Sequence, residues 1–484
     1  MIGALDLSSA TVSFPVSFEN SLFDETIQLS QSQLIDFTLT GSHIHGIEAA
    51  KVTVRNNFTL DNISSEGEVD LLGGNLGGTL VCQGSTLKNP GALALVADNA
   101  KVGGNVFLRG AVDSQGKAGA PFSAEGEVSL MGADVNGDLD CDGATFNNQG
   151  EIALGADRLK VGGGVFLGSA VNSQGNVTPF KADGEVRLLG ADVRGNLECI
   201  GATFKNPSKI ALNADRLKVG GNVFLRGAVD SQGKAGAPFS AEGEVNLAVA
   251  DIGGSLECLG ATFKNPRATA LNGNLLKVGG AVFLSGALDN QGKVITPFNA
   301  EGEVNLGAAD IKSNLECDGG TFKNPRKTAL NGDSLKVGGN VFLRRAVNSQ
   351  GKATPFLADG EVNLLGADVR GGLECDGGTF MNPGATALDA ERLKVGGNVF
   401  LGRAVDSHGK VTPFNAEGEV DLIGGDIRGG LECDGGTFKN PSATALDAEG
   451  LKVGGNVFLR GAVDSQEKVT PFDAEGEVNL LAGC

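Results

Sequence analysis

The sequence predicts an all-β protein wound as a parallel β-solenoid, with four sides per coil as the first reading and three as the alternative. Three observations predict it. Lys-Val-Gly-Gly recurs with its Lys at 101, 160, 218, 277, 336, 394 and 452, always 58 or 59 residues apart. Inside each long repeat, short apolar-x-apolar runs are separated by Gly-, Asp- or Asn-rich corners. Alternation at period 2 marks strands with one buried face, and strands this short can line a solenoid but cannot build a sandwich core. In residues 27–49, IQLSQ SQLID FTLTG SHIHG IEA, the apolar pairs start at 27, 32, 37, 42 and 47. Four steps of five residues close a coil of about 20 residues.

The elements follow in chain order. Residues 1–68 form N-terminal coils with pentapeptide periodicity, and residues 69–484 form seven two-coil repeats of 58–59 residues. The first coil reads Leu5/Leu7, Ala10/Val12, Val16/Phe18 and Ser21/Phe23. A typical later coil reads Val128/Leu130, Ala133/Val135, Leu139/Cys141 and Ala144/Phe146. Its partner reads Ile152/Leu154, Leu159/Val161 and Val165/Leu167, with Ala170 opening the fourth side. An insertion of about ten residues ending in Pro-Phe, as at Pro179-Phe180 and Pro297-Phe298, interrupts every second coil. First-side strands from residue 5 to Val478 count to about 17 coils, or roughly 80 Å at the usual strand spacing. The 28-residue stretch from Lys101 to Val128 is identical to that from Lys218 to Val245, which points to duplication within the chain.

Ala133–Gly137 and Ala191–Gly195, both Ala-Asp-Val-x-Gly, resemble the Ala-Asp/Asn-Leu-x-x unit of the pentapeptide-repeat family. The resemblance covers nearly the whole chain in pattern and departs from it in the mixed five- and six-residue steps and in the insertions. It implies a right-handed, four-sided solenoid.

Composition narrows the function classes. There is no Trp or Tyr, and 76 residues are Gly. Against 39 Lys and Arg stand 58 Asp and Glu, a net charge of −19 that repels nucleic acid backbones and anionic lipid. No apolar run reaches the length of a membrane span, and the first residues lack the pattern of a secretory signal. The expectation is therefore a cytoplasmic protein without membrane insertion, with a surface or extracellular filament exported by another route left open.

Cysteines at 82, 141, 199, 258, 317, 375 and 433 occupy one inward position, once per long repeat. Two coils apart they lie about 9.6 Å from one another, too far for disulfides, so they read as small buried hydrophobes. On the second side, outward Asp (134, 192, 251, 310, 368) alternates with outward Lys (160, 218, 277, 336), which predicts a charge ladder. On the third side Phe107, Phe166, Phe224, Phe283, Phe342, Phe400 and Phe458 point outward, with Asp140, Glu198, Glu257, Glu316, Glu374 and Glu432 on the coils between. Left bare, that Phe stripe is a candidate lateral contact for a sister chain or a protein partner. The competing expectation is that the Pro-Phe insertions fold back over it.

No catalytic, cofactor-binding or metal-ligating constellation is legible. The three histidines, His43, His45 and His408, have no ligand set at metal spacing, and no nucleophile-elbow, Walker or His-Glu-x-x-His pattern occurs. Acid pairs repeat identically along the chain, whereas an active site breaks a repeat locally. The expectation is a non-enzymatic protein without a cofactor.

Solenoids ordinarily cap their ends. Here winding starts at residue 5, and Val478/Leu480 forms a first-side strand four residues before the last, Cys484. Leu5, Leu7, Ala10 and Val12 at one end, and Val478, Leu480 and Cys484 at the other, are the expected end-to-end interface. The expected partner is the protein itself, in a head-to-tail homopolymer serving as a structural filament or scaffold. Two alternatives are kept: an acidic DNA mimic that inhibits a topoisomerase or another nucleic-acid enzyme, as some pentapeptide-repeat proteins do, and a protein-binding surface module.

Overall fold

In the computed structural model of the protein, the alternation at residues 27–49 becomes one turn of a coil. Ile27/Leu29, Ser32/Leu34, Phe37/Leu39 and Ser42/Ile44 all face inward and are buried. The two serines fit an apolar column because their hydroxyls are satisfied. Ser32 Oγ donates to Leu29 O at 2.7 Å, and Ser42 Oγ donates to Thr40 O at 3.1 Å while accepting from the Ser21 N–H. The structure describes residues 3–111, 119–171, 176–228, 234–288, 294–347, 353–405, 411–463 and 469–481. They fall into two compact units, Met1–Ala228 with Gly236–Asn246, and Val229–Ala235 with Leu247–Cys484.

The first unit is a parallel β-solenoid whose ladders run residue on residue from coil to coil. Val128, Leu154, Val186 and Leu212 stack on the first side, and Val135, Val161, Val193 and Val219 on the second. Leu139, Val165, Leu197 and Val223 stack on the third. The second unit repeats the pattern, with Leu271, Val304, Leu330 and Val362 on its first side. A turn closes the corner between first and second sides: the Ala133 N–H donates to Leu130 O at 3.1 Å, with Gly132 at φ 65°. The third position of such a turn needs φ above zero, which glycine adopts without strain.

Each coil contributes to three sheets, the alternative to four separate sides. The fourth and first ladders share a sheet, because a single strand such as Thr145–Gly155 carries its hydrogen bonds from one side onto the next. This eleven-residue strand lies against the seven-residue strand Lys181–Arg187. The surplus arches outward, and the register steps from Asn147 opposite Asp183 to Ile152 opposite Glu185. Asn148 Nδ2 donates to Ile152 O at 2.8 Å across the arch. Asn206 does the same in its own repeat, as do Asn265, Asn324, Asn382 and Asn440 in the second unit. Gly184, at φ 128°, sits beneath the arch, where a Cβ would come within 2.5 Å of Asn148 O.

Two expected pairings are corrected by this geometry. The inward first-side pair of the second half-repeat is Leu154/Ala156, while Ile152 is half-buried beside Glu185. The arch adds residues inside the strand and slips the local alternation by two. Ala170 does not open the fourth side. It pairs with Thr178 in an antiparallel hairpin, Ala170–Val171 with Val177–Thr178, that leaves the coil, and the fourth side is resumed by Phe180/Ala182.

The Phe of each Pro-Phe from Phe122 to Phe414 is therefore in the core. Phe122, Phe146, Phe180, Phe204 and Phe239 form a buried column in the first unit, with successive described centroid distances of 5.4–5.8 Å. The pair order alternates, Phe122/Ala124 in one coil and Ala144/Phe146 in the next, so each ring meets a small neighbour. Alternating large and small residues across facing layers fills the column without voids or clashes.

Candidate functional site

Among the described residues, the outward ladders and the strand edges at either end are the surfaces that carry side chains out of the buried column. On the third side the alternation of Phe with acid is present in register. Phe107 stands beside Asp140, Asp140 beside Phe166, Phe166 beside Glu198, and Glu198 beside Phe224. In the second unit Phe283, Phe342, Phe400 and Phe458 alternate with Glu316, Glu374 and Glu432 in the same way.

The Phe rings are half-buried. The Phe that ends an insertion, Phe180 for example, is in the core and not over these rings, while part of each insertion lies outside the described residues. Some of the rings are covered by the arginine two residues further along the chain: Arg109 lies 4.4 Å above the Phe107 ring, Arg344 4.1 Å above Phe342 and Arg460 4.0 Å above Phe458. Each of these arginines also holds a carboxylate. Arg109 pairs with Asp140 at 2.6 Å, Arg344 with Asp318 at 2.9 Å and Glu374 at 2.5 Å, and Arg460 with Asp434 at 2.8 Å. A guanidinium stacked on a ring and forked to an acid in a neighbouring coil is a composite clasp. The stripe is less adhesive than a row of bare rings. Phe-Leu-Arg at 107–109, 224–226, 342–344 and 458–460 was the signal for it in the sequence.

The second side carries the expected charge ladder. Lys101, Asp134, Lys160, Asp192 and Lys218 are successive neighbours in the first unit, and Asp251, Lys277, Asp310 and Lys336 in the second. The residue two after most of these Asp is a larger outward one, although Gly253 follows Asp251. At that place Lys312 turns back to Asp310 at 2.7 Å, while Arg370 and Arg428 line a groove over Gly396.

A fourth ladder, at the corner between second and third sides, was read in the sequence only as glycine-rich corners. Asn196 Oδ1 accepts the Asn222 N–H at 2.9 Å, and Asp138 Oδ1 accepts the Gly164 N–H at 2.8 Å. These side chains satisfy amide groups that the corner would otherwise leave without a backbone partner.

The cysteines at 82, 141, 199, 258, 317, 375 and 433 are free and buried. Burial raises every one of these thiols well above its ordinary range. Among the described residues no group of three or more His, Cys, Asp or Glu is placed to hold a metal ion. His43 Nε2 lies 3.9 Å from Glu66 Oε1, and His408 falls outside the described residues. No helix among the described residues is long and apolar enough to cross a membrane.

The two edges differ from the interior in one respect. Inward positions that are fully covered elsewhere are open there. Leu5, Leu7, Ala10 and Val12 are half-buried, as is Val478, while Val457 is 45% and Leu480 50% exposed. The equivalent interior residues Val128, Leu130 and Val165 are at most 1% exposed. Strand Asp473–Asn479 pairs with Thr437–Asp447 on one side. Cys484 lies outside the described residues.

Comparison of the chain with family models, with curated proteins and with solved structures finds no match.

Proposed function

We propose that the protein is a non-enzymatic structural β-solenoid that assembles head to tail, the edge at Val478/Leu480 of one copy receiving the edge at Leu5/Leu7 of the next. The observation that carries this reading is the exposure of inward apolar positions at both edges. An open strand edge above an uncovered apolar column favours pairing with another strand edge. The two edges are also complementary in order. Leu5/Leu7 would continue the first-side ladder on Val478/Leu480, Ala10/Val12 would follow Leu451/Val453, and Val16/Phe18 would follow Val457/Leu459. Such a contact is heterologous, and it propagates into a fibre unless rotation closes a ring. The finer kinship with pentapeptide-repeat solenoids, including a right-handed coil, belongs to the same proposal and is supported by the five-residue steps at 27–47.

Electron microscopy of the 484-residue chain at rising concentration tests it, beside the double variant Leu5→Lys, Leu7→Lys. Unbranched fibres one solenoid wide that disappear in the variant are expected, with unchanged far-ultraviolet circular dichroism. Discrete particles of a single chain at every concentration would overturn the reading. A protein-binding module without self-assembly would then be the better account.

A further inference from the structure

We propose that the second unit holds an oxyanion site in the groove over Gly396, where Arg370 and Arg428 clamp a carboxylate, sulfate or phosphate group. The inference is independent of end-to-end assembly, because no edge residue takes part.

The groove has a volume of about 510 Å³ and lies on the second side of the coil. Its floor is Gly396, where a Cβ would sit 2.1 Å from Arg370 O, so the floor stays free of side chain. Asp368, Lys394 and Asp426 are successive ladder neighbours along its inner wall. Arg370 and Arg428 rise on either side, two coils or about 9.6 Å apart. Three cations against two carboxylates leave one net positive charge in a chain that carries −19 overall.

What marks the groove is that it joins two arginines and a lysine and that none of the three is spent. Arg344 and Arg460 are committed to acids, and Lys312 in the neighbouring groove is held by Asp310 at 2.7 Å. Among the described residues Arg370, Lys394 and Arg428 enter no ion pair or side-chain hydrogen bond. Two planar guanidinium forks flanking one groove can each present paired donors to an oxyanion held between them, and the lysine of the middle coil adds charge without demanding direction. The first unit supplies a natural control. Its corresponding groove has Asn136 in place of the first arginine, opposite Arg194 across Lys160, so one arm of the clamp is missing. Duplex nucleic acid is a poor fit. Its phosphates recur about every 3.4 Å along a strand, whereas the clamp offers one arginine per two coils.

The test is equilibrium dialysis of the full chain with radiolabelled sulfate and with inorganic phosphate, at constant ionic strength set by chloride. A parallel arm measures retention on an immobilised sulfated polysaccharide. Saturable binding is expected, weakened about tenfold or more by Arg370→Ala and by Arg428→Ala, and unchanged by Arg194→Ala. All three arginines are exposed, so the variants keep the fold. Binding of the free ions assigns the site to a small anion. Retention of the polysaccharide alone, lost in the same two variants, assigns it to an acid group borne on a polymer. If neither ligand depends on Arg370 and Arg428, or if Arg194→Ala weakens binding equally, the site does not exist.

Discussion

The rings of Phe146 and Phe180 meet with centroids 5.6 Å apart, although one belongs to an uninterrupted coil and the other ends an insertion. Both are fully buried. The insertion is thus anchored from below, and the column of rings is continuous across it. Phe180→Ala removes a ring flanked by Phe146 and Phe204 and leaves a cavity that the rigid ladder cannot collapse. The expected loss is about 3–5 kcal/mol, read as a lowered urea midpoint. Val177→Ala, in the hairpin and 42% exposed, is expected to change stability by less than about 0.5 kcal/mol. Equal effects of the two would mean that Phe180 is not a core residue in solution.

The contrast between these two residues marks where the sequence stopped being legible. Val128/Leu130 through Leu139/Cys141 could be placed from alternation alone, because each step is short and bounded by corner residues. Phe180 could not, because Pro179-Phe180 ends a stretch without alternation, and only the neighbouring coil reveals that Phe180 continues its ladder. Ile152 was misplaced for a related reason. The arch closed by Asn148 adds residues within a single strand, and period-2 counting cannot detect an even-numbered slip. The Asp/Lys ladder and the Phe/acid alternation were legible because their registers follow from repeat length. Of the arginine clasps only the Phe-Leu-Arg spacing was visible, and their acid partners were not, since those depend on how a long side chain turns toward another coil.

The cysteine column carries a chemical prediction. Cys141 and its equivalents are buried, and burial disfavours the thiolate, the species that reacts. In the folded chain at pH 8 the seven described thiols are expected to resist a water-soluble disulfide reagent, with release only on unfolding in urea. The labelling rate should therefore follow the unfolding transition. Prompt modification of more than one thiol per chain, which Cys484 alone cannot supply, would contradict the inward placement.

Asp142 offers a pH dependence with a definite sign. Its carboxyl is raised from the ordinary 3.8 to about 6, first by burial and then by the neighbouring charges of Asp140 and Glu198, against the opposing Gly168 N–H and Arg109. A folded-state value above the unfolded one means that the folded chain holds the proton more tightly. The contribution to stability is therefore complete below pH 3.8 and is lost as the pH rises through about 6. Ile200 and Leu259 occupy the same place in later repeats, so the fold does not require an acid there. Asp142→Asn can still accept the Gly168 N–H, now at 2.8 Å from Asp142 Oδ1, without carrying a charge. It is expected to leave the stability read from urea unfolding nearly unchanged at pH 4 and to raise it at pH 7, by at most about 3 kcal/mol for two pKa units. Asp376, also raised to about 6 by burial, should behave alike in the second unit. A gain of the same size at both pH values would show that the asparagine acts through packing and that the Asp142 carboxyl titrates normally.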